Sequence, residues 1–237
     1  MNDTKRRVLA FLDDTPVAAL VRETAENVAS AIGAELHVLS IDESESVEKE
    51  ILRELDSDDV AFGVLGGRSI AAKPELLGHI ARVVATSSRR TLIIVPPTAR
   101  PWGRRDLRFL LPLDGHPQTT NAVVPVVADL LAVGAIVPVH VFDSSNVPMF
   151  FTSPEDRAVL ADDFAARHFG GATQTARPLL CVGRPAEEII AAIDREEPDA
   201  VVVCWNQQFD VGRAEVIRRL LADGRVPIVL LPADDAQ

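Results

Sequence analysis

An internal repeat constrains the fold of this chain more than any other feature of its sequence. Three landmarks of the first half recur 101 residues later: Asp13, Gly33 and Asp42 return as Asp114, Gly134 and Asp143. A constant offset across three landmarks is the mark of a duplication. The sequence therefore predicts two copies of one domain rather than a single large domain.

The last apolar segments of the two copies are offset by a larger distance. Segment 92–96 is repeated at 228–232, which is 136 residues later, so the second copy carries 35 additional residues. That length corresponds to one helix and one strand. We therefore predict domains at 1–98 and 107–235, with one helix–strand unit missing from an edge of the first. Residues 99–106, which contain Pro, Gly and Arg, are predicted to form the linker.

Apolar and polar segments alternate in both copies, and this alternation predicts the fold class. In the first copy we expect strands at 7–12, 35–41, 60–65 and 91–95 and helices at 16–32, 45–55 and 74–87. In the second copy we expect strands at 108–113, 136–142, 175–182, 200–204 and 227–231 and helices at 119–133, 154–168, 185–196 and 212–223. Such alternation is typical of an α/β domain with an open parallel sheet between two helix layers.

Composition and charge exclude several classes of function. Hydrophobic residues make up 47% of the 237 residues, which is enough to form packed cores. The net charge of −11 argues against a nucleic-acid partner, because phosphate binding needs a basic surface. Apolar stretches are too short for a signal peptide or a membrane span, so we expect a cytoplasmic protein without a membrane partner. Cys181 and Cys204 are expected about 14 Å apart on strands three and four, so neither a disulfide nor a metal site is predicted.

Four segments of the second copy carry a resemblance to a known family. They are Leu-Pro-Leu-Asp-Gly at 111–115, the helix opening at 182–190, the strand at 198–203 and the terminal segment at 226–232. In order and spacing these segments resemble the universal stress proteins, here in a tandem form. The resemblance implies a Rossmann-like or flavodoxin-like sheet of the adenine nucleotide α-hydrolase type, with strand order 3-2-1-4-5. Ligands of such sheets bind where the strand order reverses, here between strands one and four.

The resemblance also implies a nucleotide site in the first copy. Family members that bind ATP carry a loop after strand four with the pattern Gly, two residues, Gly, nine residues, then Gly followed by Ser or Thr. Glycine in such a loop lets backbone N–H groups approach phosphate oxygens. The candidate nucleotide-binding residues of the first copy are Asp13, Gly66, Gly67, Arg68, Ser69, Gly78 and His79. This loop departs from the pattern in three ways. Ser69 replaces the second Gly, only eight residues separate Ser69 from Gly78, and His79 replaces the hydroxyl residue.

Each of these candidates also has a purely structural interpretation. Asp13 could hydrogen-bond its own turn, and Gly66 and Gly67 could form a tight turn between strand and helix. Arg68 could pair with a phosphate or stay solvated in its loop. His79 is expected on the surface of an amphipathic helix.

The second copy departs further from the nucleotide pattern. Cys204 and Trp205 stand where the first glycine and its neighbour are expected, so Asp114 and Gly212 are predicted to be a vestigial equivalent of the first site. We expect Trp205 to fill the vacated crevice, which would leave its fluorescence insensitive to ATP. The alternative is an apolar patch for an unidentified protein partner, to which residues 149–151 could also contribute.

The sequence favours a non-catalytic universal stress protein with degenerate or lost ATP binding that acts in stress response. Catalytic residues, a metal and a firm cofactor are not predicted, because nucleophile-elbow, Walker and dinucleotide patterns are all missing. The alternative is an adenine-nucleotide sensor or weak hydrolase that binds ATP with magnesium through the glycine loop of the first copy. The last strands, near 92–95 and 228–231, are expected to pair within the chain as a pseudo-dimer or between chains as a homodimer.

Overall fold

The computed structural model describes most of the chain, in residues 5–41, 47–67, 77–103, 106–116, 119, 123, 126, 130–142, 153–169, 177–208 and 214–232. The strands in these residues are β1 (Arg7–Leu12), β2 (Glu35–Ser40), β3 (Val60–Gly66), β4 (Leu92–Val95), β5 (Leu107–Pro112), β6 (Gly134–Phe142), β7 (Leu179–Val182), β8 (Ala200–Trp205) and β9 (Ile228–Pro232). The helices are α1 (Ala18–Ile32), α2 (Val47–Leu55), α3 (His79–Ser87), α4 (Pro154–Phe169), α5 (Pro185–Glu196) and α6 (Ala214–Asp223).

Several sequence predictions fall wholly or partly outside the described residues. The helix predicted at 119–133 is represented by residues 119, 123, 126, 130 and 131, which are helical. Undescribed residues include Asp42, Arg68, Ser69, Asp143, segment 149–151 and Gly212.

All nine strands join one sheet, in the order β2-β1-β3-β4-β9-β8-β5-β6-β7. The second copy contributes β9-β8-β5-β6-β7, which is the predicted order 3-2-1-4-5 read from its other edge. The first copy contributes β2-β1-β3-β4, which is the same order without strand three. The α/β fold class and the loss of one helix–strand unit from the first copy are therefore confirmed.

The two copies meet at the antiparallel pair of β4 and β9. Ile93 lies opposite Val229 at the centre of this pair, and the two residues are separated by the 136-residue offset of the last strands. Ile93 and Val229 are therefore equivalent residues of the two copies, and the residues on either side of them pair symmetrically. All other strand neighbours are parallel. Association of one chain with another stays a prediction.

Both faces of the sheet are covered, which explains its continuous apolar strands. Along β1, Val8 and Ala10 enter the core under α1, whereas Leu9 and Phe11 enter the opposite core under α2 and α3. The second copy repeats this division, since α4 adds to the first core while α5 and α6 add to the second. The helices of both copies therefore hold the strand ends, where a crevice would form, in fixed positions.

The described residues of the segment predicted to be a linker are packed against both copies. The Trp102 side chain is only 2% exposed and meets the Phe109 ring edge-to-face, with 5.2 Å between ring centroids. Its carbonyl accepts a 2.6 Å hydrogen bond from Asn27 Nδ2 in α1. Arg100 Nη2 donates to the Pro198 carbonyl at 2.6 Å. These contacts fix the connection between the copies instead of leaving it free in solvent.

The two cysteines are on β7 and β8, with β5 and β6 between them, in the strand order that the sequence predicted. Both are free thiols. Among the described residues, no helix combines the length and the hydropathy that crossing a membrane requires.

A bidentate ion pair joins the start of β1 to the start of β3. Arg7 donates from Nε to Asp59 Oδ2 at 2.6 Å and from Nη2 to Oδ1 at 2.8 Å. The hydrogen bonds from Arg7 and Ser57 hold the pKa of the Asp59 carboxyl well below its usual value. Because the folded pKa lies below the unfolded value, the ionised pair stabilises the fold above about pH 4, and this stabilisation is lost as pH falls further.

We therefore expect Asp59→Asn to lower the urea midpoint at pH 7, and we expect this effect to become smaller at pH 3 because the lowered pKa of Asp59 lets the pair lose its contribution only gradually below about pH 4. Urea unfolding of both proteins at pH 7 and pH 3 measures the difference. The matched control is Asp58→Asn, since the Asp58 side chain is fully exposed although it pairs with Arg90 at 2.7 Å. An exposed pair adds little stability, so equal midpoint shifts in the two variants would contradict the prediction.

Candidate functional site

The strand order reverses once in each copy, between β1 and β3 and between β5 and β8. In open α/β sheets, ligands bind at the carboxyl ends of the strands beside such a reversal. The first crevice is thus bounded by the residues after β1 and β3, and the second by the residues after β5 and β8. The candidate residues from the sequence lie at these two places where they are described.

Asp13 and Asp114, which follow β1 and β5, each accept a hydrogen bond from the backbone two residues further on. Asp13 Oδ1 accepts from Thr15 N at 3.1 Å and from its hydroxyl at 2.5 Å. Asp114 Oδ1 accepts from His116 N at 3.0 Å. These are the contacts of an Asx turn. A carboxylate has further acceptor positions, so a ligand contact by either residue stays a prediction.

Two glycine amides of the first crevice donate hydrogen bonds within the protein. Gly67 N donates to the Val95 carbonyl at 2.8 Å, and Gly78 N donates to the Gly67 carbonyl at 3.0 Å. The two ends of the glycine loop are therefore tied together beside the end of β4. A side chain on Gly66 would make ordinary van der Waals contact with Val17 at 3.5 Å and with Val21 of α1 at 3.7 Å.

His79 lies on the surface at the first turn of α3. Its side chain is 80% exposed, and Nε2 is 3.5 Å from Glu48 Oε1 of α2. Gly78 precedes it in the N-cap position, with extended backbone geometry. These positions agree with a surface histidine and do not bring its ring into the crevice between β1 and β3.

In the second copy, larger residues occupy the positions of the two glycines. Cys204 pairs with Leu231 just as Gly66 pairs with Val95, and Val95 and Leu231 are equivalent residues of the last strands. Trp205 follows at the position of the next glycine. The sheet register thus agrees with the alignment inferred from the sequence, in which Cys204 and Trp205 replace the start of the phosphate loop.

Trp205 does not fill the second crevice, and that expectation was wrong. Its side chain is 2% exposed, and Nε1 donates to the Ala85 carbonyl of α3 at 2.8 Å. Gln207 Nε2 donates to the Ser88 carbonyl at 2.5 Å. The last carbonyls of a helix have no intrahelical donor, so these side chains satisfy groups at the end of α3. We call Trp205 and Gln207 with Ala85 and Ser88 the β8–α3 clasp, which joins the second copy to the first.

The second crevice is an open cavity of about 160 Å³. Apolar side chains form most of its wall, among them Leu113, Val139, Val141, Ile189, Val203 and Val216. Asp114, Thr119 and Cys204 also line it, and Cys204 Sγ donates to the Thr119 carbonyl at 3.4 Å. No Lys or Arg occurs among the described lining residues.

Several solved structures align with almost the whole chain. A universal stress protein from Archaeoglobus fulgidus DSM 4304 aligns with a TM-score of 0.63 and 16% identity, over 98% of both chains. The chain has the universal stress protein fold. A protein of unknown function from Pseudomonas aeruginosa PAO1 aligns with a TM-score of 0.69 and 11% identity, over 99% of this chain and 96% of the other. No protein-family model and no curated protein matches the sequence.

Within the universal stress protein fold, sequence reasoning located the crevices but missed the clasp and the apolar cavity. Gln207 belongs to no recognised motif, so the sequence does not single it out as part of a contact. Gln207 has a positive φ of 62°, a conformation that usually calls for glycine. Because the residue is glutamine, the sequence does not reveal the sharp turn after β8. In the described part of the chain, no group of three His, Cys, Asp or Glu residues could hold a metal ion.

Proposed function

We propose that this chain is a non-catalytic protein of the universal stress protein type that acts in stress response, with degenerate or lost ATP sites. One observation carries the proposal: the amides of Gly67 and Gly78 donate to the carbonyls of Val95 and Gly67. A phosphate cradle needs backbone N–H groups that can turn towards the ligand. ATP would therefore have to replace two internal hydrogen bonds before it could use the amides of these two glycines.

The second crevice supports the same conclusion. Trp205 at the end of β8 and Gln207 just after it stand where phosphate-binding amides would be, but their side chains donate to the carbonyls of Ala85 and Ser88 at the end of α3. No Lys or Arg among the described residues that line this cavity would neutralise a triphosphate. Neither set of described residues therefore fits ATP.

Isothermal titration with ATP, ADP and AMP in the presence of magnesium tests the proposal. The full chain must first be freed of carried-over nucleotide. We expect no binding heat at millimolar nucleotide and no release of phosphate from ATP. Micromolar binding of any of the three nucleotides would contradict the proposal.

A nucleotide sensor in the first copy is the second candidate. One observation favours it: the loop ends at the N-terminus of α3, where anions are stabilised, and a side chain on Gly78 would meet no atom within 4 Å. Binding that is lost in Asp13→Ala and Gly66→Val would establish this function. Asp114→Ala, the equivalent change in the second copy, is the matched control and should leave such binding intact.

A further inference from the structure

The second crevice has the size and the rigidity of a site for one small ring. An apolar cavity of about 150 Å³ is large enough to bind benzene, and this cavity measures about 160 Å³. Val139, Ile189 and Val203 of its wall are each at least nine-tenths buried, so packing against neighbouring elements holds them in place. A ligand would therefore enter a preformed shape, as in most small-molecule sites.

The Asp114 carboxylate lies at the rim of the cavity. Asp114 follows β5, and its side chain is exposed to solvent beside the apolar wall. The turn to His116 uses Oδ1 for one hydrogen bond. A carboxylate has about four acceptor positions, so a ligand N–H can share this group with the partners that Asp114 has within the protein. An ammonium donor would make the stronger, charge-assisted form of that bond.

Among the described residues, the charges around the cavity favour a cation over an anion. Helix N-termini attract anions, and both α5 and α6 begin beside the cavity. The first turns of these helices, however, already contain Glu187, Glu188 and Glu215, which offset the partial positive charge. Arg184 precedes α5, but its guanidinium is 3.4 Å from Glu187. The net charge of the whole chain is −11.

We propose that the second crevice binds a small primary amine that carries a single aromatic ring. The ring lies among the apolar side chains of β6, β8, α5 and α6, and the ammonium group donates to Asp114. The amine site goes beyond the proposed loss of ATP binding, because it assigns the second crevice a ligand that carries no phosphate.

Calorimetric titration of the full chain with 2-phenylethylamine tests this site. Benzyl alcohol supplies a similar ring without charge, and phenylacetate supplies it with a negative charge. We expect the amine to bind about tenfold more tightly than the alcohol, since hydrogen bonds to charged groups are the stronger ones, and phenylacetate to bind most weakly. Equal affinities for the amine and phenylacetate, or no binding of the amine at millimolar concentration, would overturn the proposal.

Two pairs of variants locate the ligand. Asp114→Asn, at an exposed position, should reduce amine affinity about tenfold and leave the alcohol unchanged, whereas Asp13→Asn in the first copy should change neither. Val216→Phe should abolish binding of both compounds by filling the cavity. Ile80→Phe, 136 residues earlier on α3, should leave both intact. Retained binding in Val216→Phe, with native circular dichroism, would show that the ligand lies elsewhere and would overturn the assignment.

Discussion

Trp205→Ala is expected to lower the free energy of unfolding by about 3–5 kcal/mol, the usual cost of removing a large buried aromatic side chain. The ring is only 2% exposed and lies between β8 and the end of α3. Its removal leaves a void between the two copies. It also leaves the buried Ala85 carbonyl without its donor, which adds to the loss.

Urea unfolding of Trp205→Ala and Trp205→Phe separates these two contributions. Trp205→Phe keeps most of the packing but removes the N–H donor, so it should cost about 1–2 kcal/mol. Trp102→Phe provides a tryptophan control outside the clasp, because no hydrogen bond from Trp102 Nε1 is present to lose. A loss below about 1 kcal/mol in Trp205→Ala would show that the clasp does not stabilise the contact between the copies.

Gly134→Ala is expected to destabilise the fold by about 3 kcal/mol, because the new side chain would overlap the main chain. A Cβ at Gly134 would lie 2.7 Å from the carbonyl carbon of Leu107, the residue opposite it on β5. Main-chain atoms of a buried strand cannot move aside as a flexible side chain can. The pair of β5 and β6, which forms one wall of the apolar cavity, would have to separate locally.

Gly33, the equivalent glycine of the first copy, is the matched control. A Cβ there would meet no atom within 4 Å, but the residue ends α1 with a φ of 66°. Gly33→Ala should therefore cost only about 1 kcal/mol, from left-handed backbone strain. Thermal or urea unfolding of both variants gives the comparison, and a smaller effect at Gly134 than at Gly33 would contradict it.

Much of the fold could be predicted from the sequence because duplication leaves constant offsets. The 101-residue and 136-residue offsets predicted the missing helix–strand unit, and the continuous apolar strands predicted a sheet covered on both faces. The sequence could also show that Cys204 and Trp205 replace loop glycines, since these residues lie at the end of a strand that is easily recognised.

The direction of the Trp205 side chain could not be predicted in the same way. Its hydrogen-bond partner, Ala85, is 120 residues away and approaches only because β4 and β9 pair antiparallel. The cavity was missed for a similar reason, since its wall combines residues from three strands and three helices. Local patterns predict which elements form, but sites built between distant elements depend on their packing.

The proposed loss of the nucleotide site rests on the amides of Gly67 and Gly78, which donate to carbonyls within the protein. Two-dimensional ¹H–¹⁵N NMR of the full chain, with and without millimolar magnesium and ATP, observes these two groups directly. We expect both amides to exchange slowly with solvent and to keep their chemical shifts when ATP is added. Rapid exchange without nucleotide, together with shifts of both resonances at micromolar ATP, would contradict the loss of the nucleotide site.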